Sequence, residues 1–319
     1  MIVDLNLSED QAMIADSIGG LLRDRLPVSR FGDENARGGA AERALWSDLA
    51  ELGLFGLGVA EDDGGVGLGA AEEVLAAQAL GEHLASPALL AQIAAAHLAD
   101  DSGLRQALVR GTTRATLAVG IGGGEAQAFD AEGAAHLVLF GPAGARLIAM
   151  PAGTPGASID ESLSASTVPA DDAARQRTPA DDRISLLLAA YLTGIARAAE
   201  AMAVAYARVR EQFGQPIGAF QAIKHQCADM EVRAAAAEAQ VRYAATLFGS
   251  GGANDAAEVA AARLLATRAA LDNARGNIQI HGGMGFTAEC DAHLFLKRAH
   301  VIAALDSSRA AEQARLLAV

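Results

Sequence analysis

The chain has little cysteine, few aromatic side chains and a shortage of basic charge. Cys227 and Cys290 are its two cysteines, too few for a disulfide framework, so a reducing compartment, the cytoplasm, is expected. Aromatic residues make up 4% of the sequence, and alanine supplies much of the apolar content. This composition disfavours an aromatic-rich sheet and favours closely packed helices, so it predicts a mainly α-helical protein.

The charge balance limits the kinds of partner. The sequence has 25 basic and 39 acidic residues, a net charge of −14, which repels nucleic acids and anionic membrane surfaces. No secretory signal is expected, because no basic segment followed by an apolar core opens the sequence. The sequence contains no uncharged apolar run of about 18 residues, so no membrane span is predicted. A phosphate-bearing ligand stays compatible with this charge, since local arginines and helix ends set the potential inside a cleft.

Two glycine-rich stretches do not have the features of nucleotide-binding loops. Residues 54–69 have no Lys-Ser/Thr pair after them and no strand before them, which excludes a P-loop. Residues 120–124 are followed by Glu125 and by no long helix, so we interpret them as a turn rather than a dinucleotide fingerprint. Neither stretch predicts a phosphate site.

Histidine and cysteine near the carboxyl terminus do not predict a metal site. His281, His293, His300 and Cys290 lack the paired spacing of zinc ligands. The sequence also has no Gly-x-Ser-x-Gly motif of a serine nucleophile. We therefore predict no bound metal.

The stretch 206–230 ends one long helix and begins another. Gly214 and Pro216 break the first helix, and apolar residues then recur at three- and four-residue steps. Arg210 and Gln212 in the last turn of the first helix are suited to a planar or anionic ligand. Taken alone, the same corner could be an exposed turn with a solvated arginine.

A second stretch also follows a long predicted helix. Together the two stretches resemble a known protein family. The pattern Arg-x-x-Phe-Gly-x-x-Ile-x-x-Phe-Gln at 210–221, followed by Gln-Ile-His-Gly-Gly-x-Gly-Phe at 279–286, resembles the carboxy-terminal domain of the acyl-CoA dehydrogenase family. The glycine pattern in 52–67, with Leu-Gly-Glu at 80–82, resembles the family's amino-terminal helical domain. The resemblance implies FAD as cofactor and an acyl-CoA as substrate.

Pattern and resemblance together predict an α+β fold with three parts. These are an N-terminal helical domain at 1–110, a reduced middle β domain and linker at 111–178, and a C-terminal four-helix bundle at 179–319. Short apolar runs between turns predict strands within 115–150. The predicted bundle helices are about 181–210, 219–248, 254–280 and 292–317, with a break near 306–308 and a linker at 249–254.

The resemblance also implies which residues bind the cofactor. In the family, the matching positions hold the pyrophosphate and adenosine of an FAD whose flavin belongs to a partner subunit. A guanidinium pairs with pyrophosphate oxygens, and glycines let the backbone approach a ligand. A helix carboxy-cap is an alternative role for the two glycines. The residues at these positions are Arg210, Gln212, Phe213, Gln279, Gly282 and Gly283.

The family's catalytic base is a glutamate, and neither family position holds one. The base takes the proton alpha to the thioester carbonyl while a hydride leaves for the flavin. Ile184 stands at the first family position and Asp306 at the second. Aspartate is shorter by about 1.3 to 1.5 Å, and a misplacement of about 1 Å can cost about a hundredfold in rate. Asp306 is therefore either the base of a reshaped site or a helix cap, with the base supplied by another chain.

Residues 111–180 also lack the Thr-Glu-Pro-x-Ala-Gly-Ser-Asp type segment that holds the flavin ring in the family. In this the chain resembles shortened subunits of heterotetramers, several of which in actinobacteria act on steroid side-chain CoA thioesters. We therefore favour a heteromeric acyl-CoA dehydrogenase subunit that needs a homologous partner and passes electrons to an electron-transfer flavoprotein. The alternatives are a self-sufficient homo-oligomer that uses Asp306 and a flavin-free structural subunit.

Overall fold

Helices form both ends of the chain, and a small sheet lies between them. A computed structural model gives the structure, and it describes residues 4–141, 144–170, 177–249, 255–306 and 308–318. The predicted α+β fold, mainly helical with a small β domain, is confirmed. Ser307 and residues 250–254, most of the predicted linker, lie outside the described residues.

The N-terminal part is helical. The first helix begins after Ser8, whose hydroxyl accepts a hydrogen bond from the Gln11 amide at 3.2 Å, while the Gln11 side chain accepts one from the Ser8 amide. This capping box satisfies amide groups that the first turn leaves free. The helices are α1 (Glu9–Arg25), α2 (Ala40–Ala44), α3 (Trp46–Glu51), α4 (Ala70–Glu82), α5 (Pro87–Leu98) and α6 (Ser102–Val109).

The middle part is a six-stranded sheet. Its order is β4-β3-β1-β2-β6-β5, with β1 and β3 parallel and the other neighbours antiparallel. Gly122, Gly123 and Gly124 all have positive φ at the β1–β2 connection, so the glycine run is a turn, as predicted. The strands are β1 (Ala115–Gly122), β2 (Glu125–Phe129), β3 (His136–Gly141), β4 (Gly144–Ala149), β5 (Thr154–Gly156) and β6 (Ala165–Pro169).

The C-terminal part is a helical bundle in which α7 and α9 pack against each other and α8 packs on both. Predicted and observed helix ends agree within a few residues, and the last predicted helix is divided near 306–308 as expected. We propose to keep the domain division at 110 and 178, because helices end and begin near those points. The helices are α7 (Pro179–Val209), α8 (Gln221–Leu247), α9 (Asp255–His281), α10 (Ala292–Ala303) and α11 (Arg309–Leu317).

Helix α7 is the most apolar long element. It is the one helix among the described residues with the length and composition to cross a membrane, and 67% of its most apolar window is buried inside the protein. Helices α4, α8 and α9 contact it along its length. Packing against these neighbours accounts for its apolar character.

A single buried side chain joins the three parts. Arg298 of α10 donates to the Asp160 carboxylate at 2.7 Å, to the Tyr191 hydroxyl at 2.8 Å and to the Leu84 carbonyl at 2.7 Å. These groups come from the sheet domain, α7 and the end of α4. One continuous cluster of apolar side chains also runs through all three parts. The bundle, which carries the predicted site residues, is therefore fixed against the other two parts.

Candidate functional site

The first predicted corner is a tight hairpin at the end of α7. Arg210 caps the helix, and its carbonyl accepts a hydrogen bond from the Ile217 amide at 2.7 Å. Between them β7 (Glu211–Gln212) pairs with β8 (Gln215–Pro216). The turn residues Phe213 and Gly214 have φ of 54° and 79°, as a two-residue turn of this kind requires. Residues 211–215 of this hairpin are all exposed.

The hairpin presents its side chains to solvent. Phe213 is 92% exposed, although a bulky residue with positive φ is uncommon. Its ring meets the edge of Phe220 at 6.1 Å between centroids. Arg210 and Gln212 are also exposed, and the Gln212 amide reaches back only to the neighbouring Glu211 carbonyl, at 2.8 Å. Phe213 therefore combines an uncommon backbone conformation with nearly full exposure of its side chain.

The second predicted corner follows α9. A 3₁₀ turn, Gly282–Phe286, comes directly after His281, and Gly282 has a φ of 61°. Among the described residues no atom lies within 4 Å of the place where a Cβ would stand on Gly282 or Gly283. At Gly285, by contrast, a Cβ would lie 2.6 Å from the Ile278 carbonyl oxygen. Gly285 is required by packing, whereas Gly282 and Gly283 leave an open stretch of backbone.

The two corners meet at one end of the bundle. The Tyr206 ring, one turn before the end of α7, stacks on the His281 imidazole with centroids 4.1 Å apart. Ala207 of α7 and Ile280 of α9 join the same small apolar cluster. The structure thus packs together the ends of α7 and α9, which lead into the two corners.

The stacked pair is itself positioned by a hydrogen bond. His281 Nδ1 lies 2.9 Å from the Asn277 carbonyl one turn earlier, so Nδ1 carries the proton and donates it. Gln279 lies exposed on the last turn of α9, between Asn277 and His281 in sequence. Sequence reasoning missed Tyr206 and His281 as positioning residues. His281 lies inside the second motif and Tyr206 one helical turn before the first, so their positions near the two helix ends were the available signal.

The combined corner has the chemistry of an anion site. It offers an exposed guanidinium, an exposed carboxamide, an aromatic face and two unhindered glycines. A guanidinium can make two parallel hydrogen bonds to phosphate oxygens, and bare backbone can present amide donors. An aromatic ring adds a surface for a flat heterocycle.

Asp306 lies in a different environment from the corners. Arg177 Nη1 lies 2.6 Å from one carboxylate oxygen, and the Ser185 hydroxyl donates to the other. The side chain of Asp306 is 2% exposed, and its φ is 71°. The predicted cap signal belongs to Ser308, whose hydroxyl accepts from the Ala311 amide at 3.2 Å. The Asp306 carboxylate therefore forms an internal ion pair and does not cap a helix.

The first of the two family positions for the base holds an apolar residue that is also buried. Ile184 is buried in α7. Asp181 nearby accepts hydrogen bonds from the Thr178 and Ala145 amides, both at 2.7 Å, and so stabilises the start of α7. Asp181 thus has a structural use for its carboxylate.

One further buried carboxylate, Asp130, has an unusual environment. It accepts from the Ser86 hydroxyl at 2.6 Å and from the Ser164 amide at 2.9 Å, where the sheet meets the start of α5. Burial raises the pKa of Asp130 to about 6, although the two donors oppose this shift. The side chain is enclosed by protein, so the raised pKa affects the folding stability.

Histidines near the carboxyl terminus are dispersed. His281 packs on Tyr206, and His293 Nδ1 lies 3.6 Å from the Glu161 carboxylate. Across the described part of the chain, no three His, Cys, Asp or Glu side chains lie close enough together to hold a metal ion.

Comparison with protein families matches both helical parts. The model described as acyl-CoA dehydrogenase, N-terminal domain, matches residues 8–102, and that described as acyl-CoA dehydrogenase, C-terminal domain, matches residues 182–308. The acyl-CoA dehydrogenase FadE34 of Mycobacterium tuberculosis is 36% identical over 289 residues, which cover 82% of this chain and 40% of FadE34. The chain thus spans less than half of this curated relative.

Solved structures agree on the fold. A chain of the Tcur3481–Tcur3483 steroid ACAD has a TM-score of 0.80 at 22% identity, covering 97% of each chain. A chain of the ChsE4–ChsE5 complex from Mycobacterium tuberculosis has a TM-score of 0.78 at 20% identity, covering 99% of this chain and 98% of that one. Two family models that together match most of the sequence, with the same fold over nearly its whole length, lead to one conclusion: the chain belongs to the acyl-CoA dehydrogenase family.

Proposed function

We propose that this chain is one subunit of an FAD-dependent acyl-CoA dehydrogenase that works as a heteromer with a homologous chain. The assembly would remove hydrogen from the alpha and beta carbons of an acyl-CoA thioester. The two corners of this chain would bind the nucleotide half of the FAD, while the partner encloses the flavin ring and supplies the base. The observation that carries the proposal is that both corners meet with their ligand-binding groups open to solvent.

The corner residues fit the nucleotide half of FAD. Arg210 would neutralise the pyrophosphate, and Gly282 and Gly283 would allow close approach of the backbone. Phe213 would cover the flat adenine, with Gln212 and Gln279 as hydrogen-bonding groups at the edges. Bound FAD supplies the hydride acceptor of the reaction. The role of this chain at the corner is thus binding and orientation.

A partner chain is supported by what surrounds the corner. Val209, Phe213 and Phe286 are exposed by 76%, 92% and 76%, and Met284 is also exposed. Such apolar side chains, around a ligand site that has a wall on one side only, are typical of surfaces that another subunit covers. The FAD would then lie between the two chains.

The surroundings of Asp306 favour a base from the partner. A general base must reach the alpha carbon with a free carboxylate. The Asp306 carboxylate is instead enclosed by Arg177 and Ser185, and it is shorter than the family's glutamate. We infer that Asp306 stabilises the end of the bundle.

The similar proteins support a heteromer and suggest a substrate class. Two structures of similar fold come from complexes named for two proteins each, and one of these is called a steroid ACAD. FadE34 is more than twice as long as the stretch it shares with this chain, which leaves room for a second unit of similar size. We therefore propose a bulky, steroid side-chain type acyl-CoA as substrate, an electron-transfer flavoprotein as acceptor, and a cytoplasmic location.

Purification with and without a partner tests the proposal. The chain would be produced alone and together with a homologous chain from the same genome, and protein-bound FAD would be quantified by absorbance. We expect colourless protein alone and a yellow, dye-reducing heteromer together. Yellow, active protein from this chain alone would favour the self-sufficient enzyme, and FAD-free protein in both preparations would favour a structural subunit. Either result would contradict the proposal.

A further inference from the structure

A groove between α9 and α11 lies apart from the corner and has a composition unusual for this acidic protein. Its volume is about 640 Å³, within the range of small-molecule sites. Its lining includes four arginines and two carboxylates, in a chain with a net charge of −14. We call it the arginine groove, and its four arginines are Arg263, Arg268, Arg275 and Arg309.

Arg263 is the buried member of the arginine groove. It is 2% exposed, and its Nη2 donates to the Ile302 and Leu305 carbonyls at 2.8 and 2.9 Å. Its Nη1 is buried and has no hydrogen-bond partner among the described residues. A buried donor without an acceptor is unfavourable, and more so when it is charged. The Asp306 and Glu312 carboxylates offset part of the Arg263 charge from within the protein.

The exposed rim keeps a positive charge. Asp272 is shared by two guanidinium groups, with Arg268 Nε at 3.5 Å and Arg275 Nη1 at 3.2 Å. One carboxylate therefore balances two arginines. The other acid of the groove, Glu312, is buried and pairs with Arg315 at 3.1 Å, so it is occupied by a guanidinium outside the lining.

Arg309 is at a position where its positive charge does not stabilise its own helix. It is the first residue of α11, and Ser308 caps the helix before it. A positive charge at a helix amino terminus opposes the helix dipole and is mildly unfavourable there. Within the described residues no ion pair joins Arg309 to a carboxylate. An anion in the groove would interact favourably with both Arg309 and the helix end.

The floor of the groove is apolar. Leu264, Leu265 and Leu271 of α9, with Ala303 of α10, line it between the arginines. Leu265 is 43% exposed, so this surface is open. We propose that the arginine groove binds a phosphorylated small molecule, with the phosphate on the arginines and an apolar body on the leucine floor. The groove is lined by none of the residues proposed to bind FAD, and its proposal does not depend on the proposed function.

Titration with two simple phosphates tests the site. Inorganic phosphate and phenyl phosphate would be titrated calorimetrically into the full chain and into the heteromer. Phenyl phosphate should bind more tightly, because its ring adds apolar contact. Binding should weaken by about tenfold or more in the double variant Arg268→Ala, Arg309→Ala, since two charged contacts are lost.

Two controls separate this site from others. Arg110→Ala removes an exposed arginine at the end of α6, outside the groove, and should leave the affinity unchanged. Arg210→Ala removes the corner guanidinium and should keep the component of phosphate binding that the double variant loses, which distinguishes the groove from the FAD site. Because the rim arginines are exposed, their variants should fold, as circular dichroism would verify.

Several results would overturn the proposal. One is no binding, or equal binding by the double variant and by Arg110→Ala. Loss of binding in Arg210→Ala alone would move the phosphate to the corner. Binding to the free chain that disappears in the heteromer would mean that a protein surface covers the groove. Equal affinity for the two phosphates would show that the leucine floor does not contribute to binding.

Discussion

Tyr206 and His281 stack with ring centroids 4.1 Å apart and planes at 23°. One residue lies a turn before the end of α7, and the other is the last residue of α9. This contact sets the distance between the Arg210 hairpin and the open glycine backbone. It joins two helix ends whose following motifs are far apart in sequence.

Removing the stack should loosen the corner without unfolding the bundle. Stacked aromatic pairs contribute about 0.5–1.5 kcal/mol beyond their buried area. For Tyr206→Ala we expect the FAD affinity of the heteromer to fall by about threefold to tenfold, as measured by quenching of flavin fluorescence. Tyr206→Phe keeps the ring and should bind FAD normally. Equal affinities for the two variants would show that the stack does not position the corner.

Phe213 should affect binding more than stability. Its φ of 54° costs a bulky residue about 1 kcal/mol or more, and asparagine tolerates this conformation better. For Phe213→Asn we expect unchanged or slightly higher stability of the isolated chain in urea, and weaker FAD binding by the heteromer. Ile159→Asn, which also replaces an exposed apolar residue in a loop, is the control and should not change FAD affinity. A destabilised chain with normal FAD affinity would contradict this role for Phe213.

Asp306 should matter for stability. Asn fits its left-handed backbone, so Asp306→Asn mainly removes the charge facing Arg177. Because Arg177 keeps Asp182 at 3.2 Å, we expect a loss of about 1–3 kcal/mol in unfolding free energy. The exposed Asp62→Asn is the control and should change little. Turnover per bound FAD in the heteromer should be unchanged, and a drop of a hundredfold or more at full FAD occupancy would identify Asp306 as the base.

The fold and the two helix-ending corners were predictable from sequence because they depend on local patterns. Helix ends at Val209 and His281 follow from glycine, proline and apolar spacing. The ion pair of Asp306 was not predictable, because Arg177 lies in a segment interpreted as domain edge and linker, and the contact joins residues far apart in sequence. Strands β5 and β6 were missed because they are short and lie in the segment that was interpreted in part as a linker.

Asp130 should make stability depend on pH in the acidic range. Burial raises its folded pKa to about 6, above its ordinary value of 3.8, so the folded protein binds this proton more tightly than the unfolded chain. Its contribution is therefore complete below about pH 4 and is lost as the pH rises through about 6. Asp130→Asn cannot ionise, and asparagine suits its φ of 49°.

Urea titrations at several pH values test whether the stability changes with pH in this direction. The unfolding free energy of the natural chain minus that of Asp130→Asn should fall by on the order of 2 kcal/mol between about pH 4 and about pH 7.5. Other ionisable groups are common to both proteins and cancel in the difference. A difference that stays flat, or rises with pH, would show that Asp130 is not held in this way.

The FAD dissociation constant of the heteromer carrying Arg210→Ala tests the nucleotide site most directly. Arg110→Ala is the matched control, since both arginines are exposed and end a helix. We expect Arg210→Ala to weaken FAD binding by more than about tenfold, a loss of over about 1.4 kcal/mol, and Arg110→Ala to leave it unchanged. Unchanged FAD affinity in Arg210→Ala would contradict the proposal that the two corners bind the cofactor.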